Sequence, residues 1–295
     1  MKNYLALVGT SLLVACSTVP SQQTATRPVE LRFVAEVNGQ SFECGQSYKN
    51  IGTTRSTMTP TDFRMFVSQV HLMTAEGKAV PVQLVQDNTW QLEGIALLDF
   101  ENGQGPCRNG TPPMNTVVRG TAPAGQYTGV KFTVGVPFER NHGDPTVAPA
   151  PLSSTAMFWI WQGGYKFLKF DTATSGRPIQ SAKPAAHGGG NASGFSVHLG
   201  STMCVSPSRT QAPTACQNPN RIDVTLTDFD LKKNQVVVDI GRVLAGSNVD
   251  VNAPKTSPGC MSFPKDADCP PIMSVLGLPY DGKAASGPQQ FIIKR

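Results

Sequence analysis

Short runs in which apolar side chains fall at every second position recur along most of the chain, and this period of two constrains the fold more than any other feature. From Val29 to Val37 the apolar residues stand at 29, 31, 33, 35 and 37, the signature of a strand with one buried face. Asn38-Gly39 follows, a two-residue hairpin signal, before Gln40 to Cys44. The same period returns in Arg64 to Thr74, Ala79 to Val85, Tyr127 to Val136, Met157 to Phe170, Phe195 to Leu199, Ile222 to Phe229 and Gln235 to Ile240. Gly, Pro, Asn or Asp separates most of them. Only Pro270 to Leu276 and Asp62 to Arg64 invite short helical turns. With 28 Gly, 24 Pro and only 15% charged residues, the composition favours sheets and long loops. The expected fold is all-β, a β-sandwich or jelly-roll-like barrel with long disulfide-stapled loops, formed as one domain over residues 29–295. The Pro-rich stretches 104–113, 145–151 and 205–219 are expected as loops within it.

The N-terminus carries Lys2, then apolar residues 4–8 and 12–15, then Cys16, the layout of a secretory signal peptide too short to span a membrane. Leu13-Val14-Ala15-Cys16 matches a bacterial lipobox. Residues 1–15 are therefore expected to be removed and Cys16 lipidated, with 16–28 a flexible tether. Ser17 points to outer-membrane sorting, so the expected location is the periplasm or the outer membrane, held by lipid. Cys44, Cys107, Cys204, Cys216, Cys260 and Cys269 remain, an even number in an oxidising compartment, which reads as disulfides. Several connectivities are open. The nearest-neighbour set Cys44–Cys107, Cys204–Cys216 and Cys260–Cys269 is preferred, because the last two pairs flank short Pro-rich loops. Without C-x-x-C spacing, a zinc ribbon, a thioredoxin-like dithiol and an attached c-type haem are disfavoured. The net charge of +5 is spread without a dense Lys/Arg cluster, so nucleic acid is not implied.

The chain has four histidines: His71, His142, His187 and His198. On strand periodicity His71 shares a face with Met65, Val67 and Met73, and imidazole beside thioether suits copper better than calcium or magnesium. His198 points away from Phe195, Val197 and Leu199. In MFWIWQGGYKFLKF (157–170) the period places Met157, Trp159 and Trp161 on one strand face, with Gly163-Gly164 allowing a bulge or close backbone approach. An unmodified indole offers an N–H and no lone pair, so it packs rather than ligates. No G-x-S-x-G or H-E-x-x-H occurs. Asp228 with Asp230, and Asp266 with Asp268, read as turn residues rather than a calcium loop. The chain is not expected to be an enzyme.

The blocks ALLDFENGQGPC (96–107), NTVVRGTAPAGQYTGVKFTVGVPFERNHGDP (115–145), APLSSTAMFWIWQGGYKFLKFD (150–171), VHLGSTMC (197–204) and GCMSFPKDADC (259–269) resemble the MbnP-like family. These are also called metallo-mystery pair four-Cys motif proteins, and they accompany methanobactin and other copper-responsive operons. The resemblance implies a periplasm-facing copper binder in copper homeostasis. Its partner would be a diheme peroxidase-like (MbnH-like) protein that oxidises one of its tryptophans to kynurenine. It implies copper held by His71 and His198, with modified Trp159 or Trp161 as third donor and Met157 or Met73 nearby. Trp159 is preferred, since Trp161 stands closer to the glycine pair. In the block FVSQVHL the family's strand histidine stands nearer the start, as in Y-V-H-D-V-R-L, so His71 departs from the pattern. The alternative reading is a metal-free structural or adhesive envelope domain, and a secreted hydrolase is the third.

Overall fold

The computed structural model describes residues 25–160, 162–176, 194–208 and 211–295. The expected signal peptide and the expected lipidation site Cys16, together with His187 and Trp161, lie outside the described residues.

Two sheets face each other across an aromatic core. Thr26–Val37 is central to the six-stranded sheet. It pairs antiparallel with Val117–Pro123 on one side and parallel with Val236–Asp239 on the other. Its apolar side chains Val29, Leu31, Phe33, Ala35 and Val37 are buried, as the period of two requires. Asn38 and Gly39 both take positive φ (51° and 80°), the conformation of a type I′ turn whose twist matches that of the strands it joins. The long strand Ser56–Met73 organises the ten-stranded sheet. It pairs with Leu168–Thr174, Gly129–Val134 and Ile95–Asp99, and Phe195–Leu199 follows beyond Leu168–Thr174. Phe33 of the first sheet meets Phe132 of the second edge-on, with ring centroids 5.5 Å apart. The architecture is an open sandwich rather than a closed barrel.

Three disulfides staple it, Cys44–Cys107, Cys204–Cys216 and Cys260–Cys269, the nearest-neighbour set. The third leads into the short helix Cys269–Val275, which falls where a helical turn was expected. Pro270 and Pro271 in its first turn lack N–H groups that would find no intrahelical partner there. Among the described residues no helix is long and apolar enough to cross a membrane.

Four expectations are corrected. Asp62 to Arg64 is strand, not a helical turn, because it is hydrogen-bonded on both sides, to Leu168–Thr174 and to Ile95–Asp99. Residues 79–85 are not one strand: Ala79–Pro81 joins the long strand, while Gln83–Leu84 joins Val117–Pro123 in the other sheet. Nor is 157–170 continuous strand, since only Leu168–Thr174 enters the sheet. The fourth concerns His71. The long strand bulges between residues 60 and 62 and again near Gln69, whose φ is +53°. Each bulge inserts a residue and exchanges the two faces. The buried apolar residues of one face therefore run Phe63, Met65, Val67 and then Val70, Leu72. His71 and Met73 fall on the opposite face of the strand, the face of Phe66 and the buried Ser68, and not with Met65 and Val67.

Val117–Pro123 escaped the sequence reading because, after Val118, its inward positions Gly120 and Ala122 are small. A Cβ on Gly120 would stand 2.6 Å from the Gln83 carbonyl oxygen. A strand lined by glycine and alanine shows little apolar alternation.

Candidate metal centre

The outward face of the ten-stranded sheet carries charged residues in register. Lys169 stands between His198 and Arg64, and Arg64 pairs onward with Asp99. In the next row Asp171 stands between Ser196 and Asp62. Side chains cross these rows diagonally. His198 Nε2 lies 2.7 Å from Asp171 Oδ1, and Lys169 Nζ lies 3.3 Å from Asp171 Oδ2. Lys169 also ion-pairs with Asp62. Arg64 donates to Glu101 Oε1 at 2.7 Å and lies 3.4 Å from Asp99. Backbone N–H groups of Gly103 and Thr111 donate to Glu101, each at 2.7 Å.

Charges held this close out of water shift one another's protonation. Burial opposes the charge on Asp171, yet His198 and Lys169 outweigh it and hold the carboxyl well below the usual carboxylate range. Asp99 goes the other way. Burial pushes it up to about 7, Glu101 adds to the rise, and Arg64 only partly offsets them. Lys166, whose Nζ donates to the Ala156 carbonyl at 2.9 Å, is pushed down to about 8 by burial and by Lys169.

The tryptophan segment forms a tight hairpin at the end of these rows. A 3-10 turn over Thr155–Met157 leads into a bridge between Phe158 and Tyr165. Trp159 N donates to Gly164 O at 3.0 Å, and the Ile160 carbonyl accepts from Gly163 and Gly164. Gly164 has a φ of +73°, and a Cβ there would lie 2.3 Å from the Asn141 carbonyl oxygen. Glycine is required on both counts. The sequence expectation of a close backbone approach at this pair is met.

Trp159 is half-buried. Its indole lies over Gly200, where a Cβ would come within 2.5 Å of Cζ3, and its ring centroid is 5.7 Å from that of Phe263. Gly200 stands two residues beyond His198, so the indole meets the sheet about 7 Å along the chain from the histidine. Ser262 Oγ donates to the His198 carbonyl at 2.8 Å, tying the Phe263 loop to the same place. Ile160 at the hairpin tip is 62% exposed.

Of the residues singled out in the sequence, the structure brings Trp159 to Gly200, two residues from His198 on the same strand segment, and buries Met157 next to the hairpin. It does not bring His71 there. His71 pairs with Lys131 and Pro81, seven residues along the strand from Arg64 and two strands removed from His198. That separation is roughly 20 Å. Its Nδ1 lies 2.7 Å from the Gln69 carbonyl oxygen. The Asp171 partner of His198 was missed, although the alternation of charge with apolar residues in KFLKFD is a legible signal. Among the described residues, two groups of three His, Cys, Asp or Glu bring ligand atoms within 4.8 Å of one another. They are His142 with Cys204 and Cys216, and Glu101 with Cys44 and Cys107. Both contain disulfide sulfurs, which have no thiolate to give.

As a donor set, the hairpin site fits copper in part. A histidine whose one ring nitrogen rests on a carboxylate is oriented to offer the other. With Nε2–H donated to Asp171, the lone pair sits on Nδ1. Indole adds no second donor.

These features define a class, a disulfide-stapled β-sandwich in which a tryptophan hairpin lies over the strand that carries a half-buried His–Asp pair. The MbnP family model matches residues 26–262. MbnP from Methylosinus trichosporium superposes with a TM-score of 0.77 at 30% identity, covering 92% of this chain and 98% of that one. No curated protein matches. The chain belongs to the MbnP family, and at that level it is a methanobactin-related, metal-associated protein.

Proposed function

We propose that this protein is a periplasm-facing, lipid-anchored copper binder whose centre is completed when Trp159 is oxidised to kynurenine by a diheme peroxidase-like partner, in the service of copper homeostasis. One observation carries the reading: the half-buried indole of Trp159 lies over Gly200, two residues from a histidine already anchored on Asp171. Opening the indole C2–C3 bond puts oxygen on both carbons, and hydrolysis then releases C2 as formate. The residue gains an aryl amine and a ketone in place of a nitrogen whose lone pair was delocalised. His198 Nδ1 and that amine are the donors the site then offers. The oxidant is two equivalents of peroxide, each reduced by two electrons to water at the partner, which together supply the four oxidising equivalents that the cleavage needs. The chain has no C-x-x-C-H haem motif of its own. It acts as the substrate of that reaction, not as the enzyme. His71 lies too far away to complete this centre, and Trp161 is the alternative site of oxidation within the same W-x-W segment.

The test is expression with and without the partner. Peptides from co-expressed protein are expected to show the mass change of one carbon exchanged for one oxygen, localised to Trp159, with tight Cu(I) binding only in that preparation. Three intact tryptophans together with tight copper binding would overturn the reading. The metal-free structural alternative draws support from the ion ladder His198–Asp171–Lys169–Asp62, which is internally paired without metal. Absence of copper binding by kynurenine-bearing protein would select it.

A further inference from the structure

A second group of donors lies on the other side of the hairpin's base. Thr202–Val205 and Ala215–Asn218 form a separate two-stranded ribbon, in which Cys204 and Cys216 stand directly opposite each other and are disulfide-bonded. Of the three bridges this is the accessible one. Both its cysteines are half-buried, whereas each of the other bridges has at least one sulfur-bearing residue closed off from solvent: Cys107 in the bridge to the half-buried Cys44, and both Cys260 and Cys269.

His142 is buried beside it, with Nε2 3.5 Å from Cys216 Sγ. The tautomer follows from the neighbouring amide. Asn141 Oδ1 accepts from Tyr165 N at 2.9 Å, which leaves Asn141 Nδ2 as the group 3.2 Å from His142 Nε2. An amide N–H can only donate, so Nε2 accepts and carries the lone pair. The same nitrogen stands 3.5 Å from Cys216 Sγ, so a cation held there would take the lone pair in place of the Asn141 N–H. His142 Nε2 and both sulfurs fall within 4.8 Å of one another.

We propose that Cys204, Cys216 and His142 form a latent metal site that opens on reduction and takes a thiophilic d10 cation such as Cu(I) or Zn(II). A dithiol reductant transfers two electrons and two protons to the bridge, closing its own disulfide and leaving two thiols. The incoming cation displaces both thiol protons and is held by two thiolates and one imidazole, a donor set suited to soft metals. The thiols do not drift apart, because the ribbon is held without the bridge. Thr202 and Val205 remain paired with Asn218 and Ala215. Asn218 Nδ2 donates to Thr202 Oγ1 at 3.1 Å, and Thr202 Oγ1 donates to the Ser262 carbonyl. This site needs neither kynurenine nor His198.

The test starts with graded exposure of the full chain to a small dithiol, followed by alkylation and peptide mapping. Cys204 and Cys216 are expected to label before the four cysteines of the other two bridges; earlier opening of either of those bridges overturns the proposal. Cd(II) is then titrated in as a spectroscopic probe. The selectively reduced protein is expected to bind one equivalent with a thiolate-to-cadmium charge-transfer band, and the oxidised protein to show none. His142→Ala is expected to weaken that binding at least about tenfold, and His142→Gln, which keeps more of the packing, to weaken it likewise. His198→Ala is expected to leave it unchanged. A band of undiminished affinity in a folded His142 variant, or no band in the reduced wild type, overturns the assignment.

Discussion

His198 hydrogen-bonds Asp171 at 2.7 Å although the register of their strands places Lys169, not Asp171, opposite the histidine. The diagonal contact lets one carboxylate serve His198 and Lys169 together. It fixes which imidazole nitrogen is committed to the protein and which is offered outward.

If Nδ1 of His198 is the offered nitrogen, His198→Ala in kynurenine-bearing protein should remove tight Cu(I) binding. Asp171→Asn should weaken it about 10–100-fold, the range for loss of an orienting partner. His71→Ala should leave affinity unchanged. Competition against a chromophoric Cu(I) chelator reads all three, and loss of affinity in the His71 variant would move the centre elsewhere.

Gly200→Ala should hinder formation of the centre. The new methyl would lie 2.5 Å from the Trp159 ring and 2.8 Å from the Tyr165 carbonyl oxygen, so the indole must lift off the strand. Overpacking of this kind costs about 1–3 kcal/mol. Tryptophan emission should shift toward that of solvated indole, and the yield of kynurenine on co-expression should fall. Unchanged yield with unchanged emission would show that seating on Gly200 does not matter.

Asp99 makes stability depend on pH. Its folded value of about 7 stands above the ordinary 3.8, so between those two the folded chain holds a proton the unfolded chain has released. The stability it contributes is complete below the lower value and is lost as pH rises through the upper one. Asp99→Asn should flatten the decline in Tm over that interval. Parallel Tm-against-pH curves for the two proteins would assign the slope to another group.

Removing the Cys44–Cys107 bridge by paired Ser substitutions should cost about 2–5 kcal/mol. The bridge closes a chain separation of 63 residues. It also holds the loop whose backbone N–H groups satisfy Glu101, the partner of buried Arg64. Denaturant unfolding measures the cost, and a loss under about 1 kcal/mol would mean the loop is held without it.

The sandwich was legible because its signals are local. Alternation over Val29 to Val37 demands one buried face, Asn38-Gly39 accepts the two positive φ values of a tight hairpin, and six cysteines in sequential pairs close the loops between them. Family membership was legible because long blocks such as VHLGSTMC and GCMSFPKDADC occur in order. The site was legible only in its parts. His198 and the W-x-W segment could be named, but nothing in their spacing said that a hairpin would lay Trp159 on Gly200. The bulge near Gln69 decided which face His71 occupies, and a bulge is set by what each neighbouring strand can pair with rather than by the residue inserted. Register likewise brought Asp171 to His198, and packing of the Asn141 turn against Gly164 brought His142 to the Cys204–Cys216 bridge across more than sixty residues of chain. A sequence determines local conformation through side-chain sterics and periodicity. Which distant groups share a site is decided only when the sheets pair and pack, because that depends on the free energy of the whole assembly of strands.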